Sequence, residues 1–401
     1  MVRLTPALTF IILFGLISLF SDMTHEGASS LRGAHFALLG ASAATIGFVS
    51  GLGELIGYSL RYAFGRVADK TGQYWTLTIA GYALDIIAVP TLALVSEDGW
   101  IWACLLLLIQ RLGKAVKKPA KDALMSFAAT QLGTGKSFAI QEGLDQLGAF
   151  LGPVLLYVVM LGKTEGDTYT LYSQAFAWLA IPGALTLALL FYTRHRFPTP
   201  QDFEPGSKDK DAFKIDRAFI FYIVAISAFA FGFIDYTLIL MHVSHLCEAG
   251  KTALLNPTTL PLLYAAAMIV DAVAALAFGT LYDKHGVSAL VFSTLLSAPF
   301  AAFVFLAESE LWIIAGIALW GIGMGAQESI LKAVVADMVP KNARATGYGI
   351  FELSFGFFWF LGSWLLGVLY EFNLFVMVSV SIACQLIAIP LYIASAKTRV
   401  I

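Results

Sequence analysis

The sequence predicts an all-α integral membrane protein, with twelve transmembrane helices arranged as two pseudo-symmetric six-helix bundles. Three observations lead there. The chain is 59% hydrophobic and only 13% charged, with a mean hydropathy of +0.79, whereas ordinary soluble domains are about half apolar and about a quarter charged. Its apolar residues fall into runs long enough for a bilayer, which needs about 20 residues per helix. Short polar motifs also recur at matching places in the two halves of the chain.

Taken in order, the first six spans run over 7–30, 41–66, 74–95, 100–129, 136–161 and 169–193, and the last six over 217–246, 257–281, 287–307, 310–339, 343–370 and 373–397. Several exceed the minimum length and are expected to tilt or to extend beyond the bilayer. Only Arg3 precedes the first apolar run, which is too long for a signal peptide's core and reads as a spanning helix. Basic residues set the expected orientation. Arg66, Lys70, Lys136, Arg194, Arg196, Lys284, Lys341, Arg344, Lys397 and Arg399 fall on one side, while the opposite loops read SEDG, GKTEGDTY and ESE. The positive-inside rule then places both termini in the cytoplasm of a cell membrane protein. The polar stretch RHRFPTPQDFEPGSKDKDAFKID carries three prolines and reads as a cytoplasmic linker over 194–216. It separates an N-terminal bundle, 1–193, from a C-terminal bundle, 217–401.

The two halves read as repeats. GRVADKTG begins at Gly65 after the second span, and GTLYDKHG begins at Gly279 after the eighth. GTGKSFAIQEGLDQLGAFLG aligns without gaps to ARATGYGIFELSFGFFWFLG, which pairs Glu142 with Glu352 and Gly152 with Gly362. Asp22 and Asp235 occupy nearly corresponding places in the first and seventh spans. Repeated halves with a site between them are a transporter layout.

These residues resemble the major facilitator superfamily, and the resemblance covers the whole chain. It implies that Asp69 and Asp283 take the acidic position of the family's loop signature, beside Lys70 and Lys284, with Gly65, Gly72, Gly279 and Gly286 as its glycines. In that family such loops latch neighbouring helices on the cytoplasmic side during alternating access. Gly148-x-x-x-Gly152-Pro153 resembles the core of the family's antiporter motif, which favours an exporter, and Arg111 matches its fourth-span arginine.

The fourth span carries the strongest chemical signal. Arg111, Lys114, Lys117, Lys118 and Lys121 lie within QRLGKAVKKPAKDALMS. At about 100° per residue they share one face about 120° wide. A Lys or Arg at mid-membrane costs roughly 2.5–3.5 kcal/mol, so they cannot all face lipid. Lys117 and Lys121 are expected to snorkel towards the cytoplasm. Arg111 and Lys114 need water, an acid or an anion, and Pro119 is expected to weaken the helix. Glu142 and Asp145, three apart on the fifth span, are acids within reach, helped by Asp122. The basic face therefore reads either as a structural charge network or as an anion-attracting cavity wall, with Arg111, Lys114 and Lys118 the first residues to test.

Acids elsewhere add a second signal. SDMTHEG places Asp22 and Glu26 on one face with His25 beside them, and FIDYTL supplies Asp235 and Tyr236. Carboxylates in such places suit a proton-coupled carrier, and Asp22, His25, Glu26 and Asp235 also suit a divalent metal cargo. Glu54 and Arg61 share a face of the second span, and Gln327, Glu328, Glu352, Asp85 and Asp271 are further polar residues inside spans.

Other chemistries are excluded by spacing. GTGKS resembles a phosphate loop, but Thr130 stands where its first glycine belongs, and HEGAS lacks the second histidine of a zinc protease. Cys104, Cys247 and Cys384 are too scattered for a disulfide framework or a zinc site, and a net charge of −2 points to no nucleic-acid partner. The expectation is a monomeric, cofactor-free, non-enzymatic carrier that works by rocker-switch alternating access. It would couple to protons and export a small organic compound. A divalent-metal transporter and a non-transporting receptor or scaffold are the alternatives.

Overall fold

The computed structural model describes residues 5–132, 134–161, 167–199, 216–307, 309–339 and 344–400. Most of the expected linker, residues 200–215, lies outside them. The regular structure is helical throughout these residues. The first half contains α1 (Pro6–Leu38), α2 (Ala43–Thr71), α3 (Tyr74–Thr91), α4 (Trp100–Leu132), α5 (Thr134–Met160), α6 (Thr168–Trp178) and α7 (Ala180–Arg196). The second half contains α8 (Arg217–Gly232), α9 (Tyr236–Glu248), α10 (Leu260–His285), α11 (Ser288–Ser297), α12 (Phe300–Phe305), α13 (Glu310–Met338), α14 (Arg344–Phe372) and α15 (Leu374–Val400).

Among the described residues, eleven segments are long and apolar enough to cross a bilayer. α4 has the length but is set apart by its basic residues. It nonetheless runs unbroken through Pro119.

Three spans read as single helices are interrupted, two of them beside a proline. α6 and α7 meet at Leu179, just before Pro182, which cannot donate a bond back into α6. α11 and α12 meet at Ala298–Pro299. Between α8 and α9 the chain is extended at Phe233 and Asp235. The freed backbone groups there find side chains: Ser381 Oγ donates to the Gly232 carbonyl at 2.6 Å, and Trp320 Nε1 donates to the Ile234 carbonyl at 3.0 Å. Asp235 accepts from the Thr237 amide at 2.8 Å and so caps α9. Irregular backbone inside a membrane protein needs such partners.

Packing divides the chain into two compact units: Met1–Leu31 with Ile56–Lys208, and Arg32–Leu55 with Asp209–Ile401. The sequence reading assigned residues 1–193 to one bundle, yet the turn joining α1 to α2 packs with the second unit. The reason is close backbone approach. A Cβ on Gly47 would collide with the Ser363 carbonyl, and Glu371 of α14 accepts from the Ala44 amide at 3.0 Å, capping the start of α2.

In the first unit, α5 lies directly on α1. A Cβ at Gly148 would strike the Leu19 backbone, and one at Gly152 would strike the Met23 carbonyl, while Pro153 follows inside the helix. Small residues are what allow such approach between membrane helices. The repeated loop motif folds the same way twice. Asp69 and Lys70 close α2, Asp283 and Lys284 close α10, and Gly72 (φ 66°) and Gly286 (φ 57°) follow in a left-handed conformation that favours glycine. Asp69 also accepts from Tyr74 Oη at 3.2 Å, which ties the end of α2 to the start of α3. Gly65 and Gly279 lie one to two turns earlier on the same helices.

The Gly152→Leu variant should lose about 1–3 kcal/mol of stability through overpacking, read as a lower unfolding midpoint in detergent. An unchanged midpoint would show that the α1–α5 contact is loose.

Candidate functional site

The basic residues of α4 do not snorkel together. They meet acids and hydroxyls from α1, α3 and α5, all within the first unit. α3 and α4 come close enough for this because Gly81 and Gly113 face each other's backbones, where any Cβ would clash.

Lys117 is buried, and its ammonium bonds Asp85 of α3, a carboxylate only 1% exposed. It also donates to Ser21 Oγ of α1 at 3.1 Å and lies 4.1 Å from the Tyr82 ring centroid. One side chain therefore ties three helices, with a carboxylate, a hydroxyl and a ring face replacing water. Lys121 is buried one turn further on. It donates to Ser18 Oγ at 2.7 Å and lies 3.9 Å from Asp145 of α5. The snorkelling expected for these two lysines is corrected here: polar partners within reach on neighbouring helices hold both heads inside the protein.

Lys114 lies one turn in the other direction and meets His25 of α1 at Nε2. Gln110 holds the other ring nitrogen. Glu26 Oε1 is 3.5 Å from Nε2, and Asp85 Oδ1 is 3.9 Å from Nδ1. A neutral imidazole can accept from the Lys114 ammonium while donating from Nδ1, and Gln110 then presents its amide oxygen. Asp22, half-buried a turn before Glu26, feels the charges of Asp145, Lys114, Glu26 and Lys121. Lys114 in turn feels Glu26, Arg111, Asp85 and Asp22. The result is one continuous, nearly balanced charge cluster in the middle of a membrane bundle.

The other sequence-predicted residues are placed differently. Lys118 is 40% exposed and pairs with Asp122 along α4 at 3.4 Å. Arg111 is half-buried near the cluster. Glu142 is exposed and accepts from Gln146 at 3.4 Å, and Asp145 also accepts from Gln141 at 3.4 Å. On α2, Glu54 is half-buried and Arg61 covers the Tyr58 ring at 4.5 Å.

In the second unit Asp235 is the α9 cap, and the Tyr236 ring packs 4.6 Å from Tyr264 and 5.0 Å from Trp320. Gln327 of α13 is buried, Glu328 is exposed and Glu352 of α14 is half-buried. Nothing in the local sequence marks Gln110, Ser18, Ser21 or Tyr82 as partners of the basic face. A carboxylate in the middle of the apolar third span was the signal that could have found Asp85.

The site does not suit a divalent cation. Both nitrogens of His25 are taken by Gln110 and Lys114, so an ammonium stands where a metal would bind.

Comparison with known proteins agrees with this architecture. A family model described as Major Facilitator Superfamily matches residues 223–399. An uncharacterized protein of Mycobacterium tuberculosis is 36% identical, covering 98% of this chain and 95% of its own. An uncharacterized MFS-type transporter of Methanocaldococcus jannaschii is 27% identical, covering 90% of this chain and 88% of its own. The crystal structure of the nucleoside transporter NupG matches with a TM-score of 0.74 at 14% identity, over 97% of this chain and 98% of that one.

Ser18→Ala should cost about 1.5–3 kcal/mol, because Lys121 is charged and loses its nearer partner. With Lys121→Met already present, the same change should cost under about 1 kcal/mol. Unfolding titrations of the four proteins measure this, and equal costs in both backgrounds would remove Ser18 from the network.

Proposed function

The chain belongs to the major facilitator superfamily, and on that premise we propose that it is a secondary carrier exporting a small organic compound in exchange for protons. The carrying observation is the cluster in which His25 of α1 joins Lys114 and Gln110 of α4, with Glu26 and Asp85 at its edges. Ionisable residues at this depth are expensive and are functional by default. The lysines divide the work. Lys117 and Lys121 are struts, each fixed by two or more partners on other helices. Lys114 is the exchangeable cation. It shares its field among Glu26, Asp85 and Asp22, so its ammonium is the group that an anionic substrate would meet.

Asp22 is the first proton site to test, with Asp235 and Glu142 or Glu352 behind it. The antiporter-like Gly148 and Gly152 and the closed ends of α2 and α10 support alternating access with export. Both termini then lie in the cytoplasm, as the basic loops require. The metal-cargo alternative is not favoured, for the reason given by His25, and the receptor alternative would use the intramembrane charges only to stiffen the bundle.

Proteoliposomes holding a pH-sensitive dye test this. Under an imposed pH gradient, a transported organic solute should produce proton flux, and Asp22→Asn should abolish it in a protein that still folds. Lys114→Gln should raise the apparent KM for an anionic solute about tenfold or more, the loss expected for one charge-assisted bond. Solute flux indifferent to the gradient contradicts proton coupling.

A further inference from the structure

A cavity lies away from the charge cluster, at the end of the first unit where α3 starts and α7 stops. Its volume is about 730 Å³, and it opens to the surface. Arg194 supplies charge and His195 an imidazole on one side, Trp75 and Phe191 supply apolar wall, and Gln73 and Thr76 line the start of α3. Trp75 is fixed by its Nε1 donating to the Phe197 carbonyl at 3.1 Å, so this wall is rigid. Arg196 follows at the end of α7 and lies over Phe197, 5.7 Å from the ring centroid.

Several features favour one kind of occupant. The cavity has the volume of a small-molecule site, and its charged lining is wholly basic. It sits at the ends of two spanning segments, Tyr74–Leu94 and Thr168–Arg196, where the bilayer meets water. Phe191 and Tyr192 of α7 are more than half exposed beside it, offering a surface for an acyl chain. α3 also begins without a side-chain cap, so its first amides remain available to an acceptor. A phosphate attached to a hydrocarbon tail meets all of these features together. A free anion uses only the charge, and a neutral solute uses only the walls.

We propose that this cavity holds the headgroup of an anionic phospholipid, with the phosphate against Arg194 and His195 and the acyl chain along Phe191 and Tyr192. Basic pockets between spanning helices are a known mode of headgroup recognition. Such a lipid would tie the end of α7 to the start of α3.

The test uses the full chain purified in neutral detergent. Phosphatidylglycerol should raise the thermal midpoint several degrees more than phosphatidylcholine at the same mole ratio, as preferential binding to the folded state requires. Native mass spectrometry should show one phosphatidylglycerol retained where phosphatidylcholine is lost. An Arg194→Gln/His195→Gln variant, checked for helix content and monodispersity, should lose at least half of the difference between the lipids. The proposal is overturned if the two lipids stabilise equally or if the double variant keeps the full difference. It is also overturned if inorganic phosphate alone reproduces the effect, since the ligand is then a free anion.

Discussion

A charge inside hydrocarbon must find a partner or be neutralised, an ammonium by losing a proton and a carboxylate by gaining one, and the first unit is organised around that constraint. α4 carries Arg111, Lys114, Lys117 and Lys121 into the bundle, and the surrounding helices supply the answer. α3 brings Asp85, α1 brings Asp22, Glu26, Ser18 and Ser21, and α5 brings Asp145. The Lys117–Asp85 bond is the fixed point. It can form only because Gly81 and Gly113 let α3 and α4 touch backbone to backbone. Neighbouring contacts at His25 and Tyr82 are placed by the same approach.

That arrangement separates two tasks within one basic face. Residues deep in contact with several partners stiffen the bundle, because breaking a buried pair leaves an uncompensated charge. Lys117 belongs to this group, and Lys114, held by an imidazole between carboxylates, is the residue that the proposed carrier cycle would use. The aligned stretch of the second half has Gln327 and Glu328 where the first half has Lys117 and Lys118, so the basic cluster is a feature of one half laid on a shared scaffold.

Much of the fold was legible in the sequence, because membrane spans follow from length and apolarity alone and the repeated loop motif marks equivalent helix ends. The breaks at Leu179 and Ala298–Pro299 were legible in principle from Pro182 and Pro299. The break at Asp235 was hidden, because it depends on Ser381 and Trp320, far along the chain. The affiliation of residues 32–55 with the second unit was hidden for the same reason: it rests on backbone contacts of Gly47 and a cap from Glu371. In the site, helical periodicity gathered the five basic residues on one face but could not rank them. Lys118, which ranked among the first to test, pairs at an exposed position, while Lys117 and Lys121 are buried. Depth along one helix does not reveal which neighbours carry an acid or a hydroxyl at the right height.

The most direct test is a double-mutant cycle between Asp85 and Lys117, using Asp85→Asn, Lys117→Met and the pair, read by reversible unfolding in detergent or bicelles. Each single change should cost about 3–5 kcal/mol by leaving one buried charge alone. The pair should cost far less than the sum, giving a coupling above about 2 kcal/mol. Additive costs, with coupling near zero, would contradict the claim that this bond anchors the first unit.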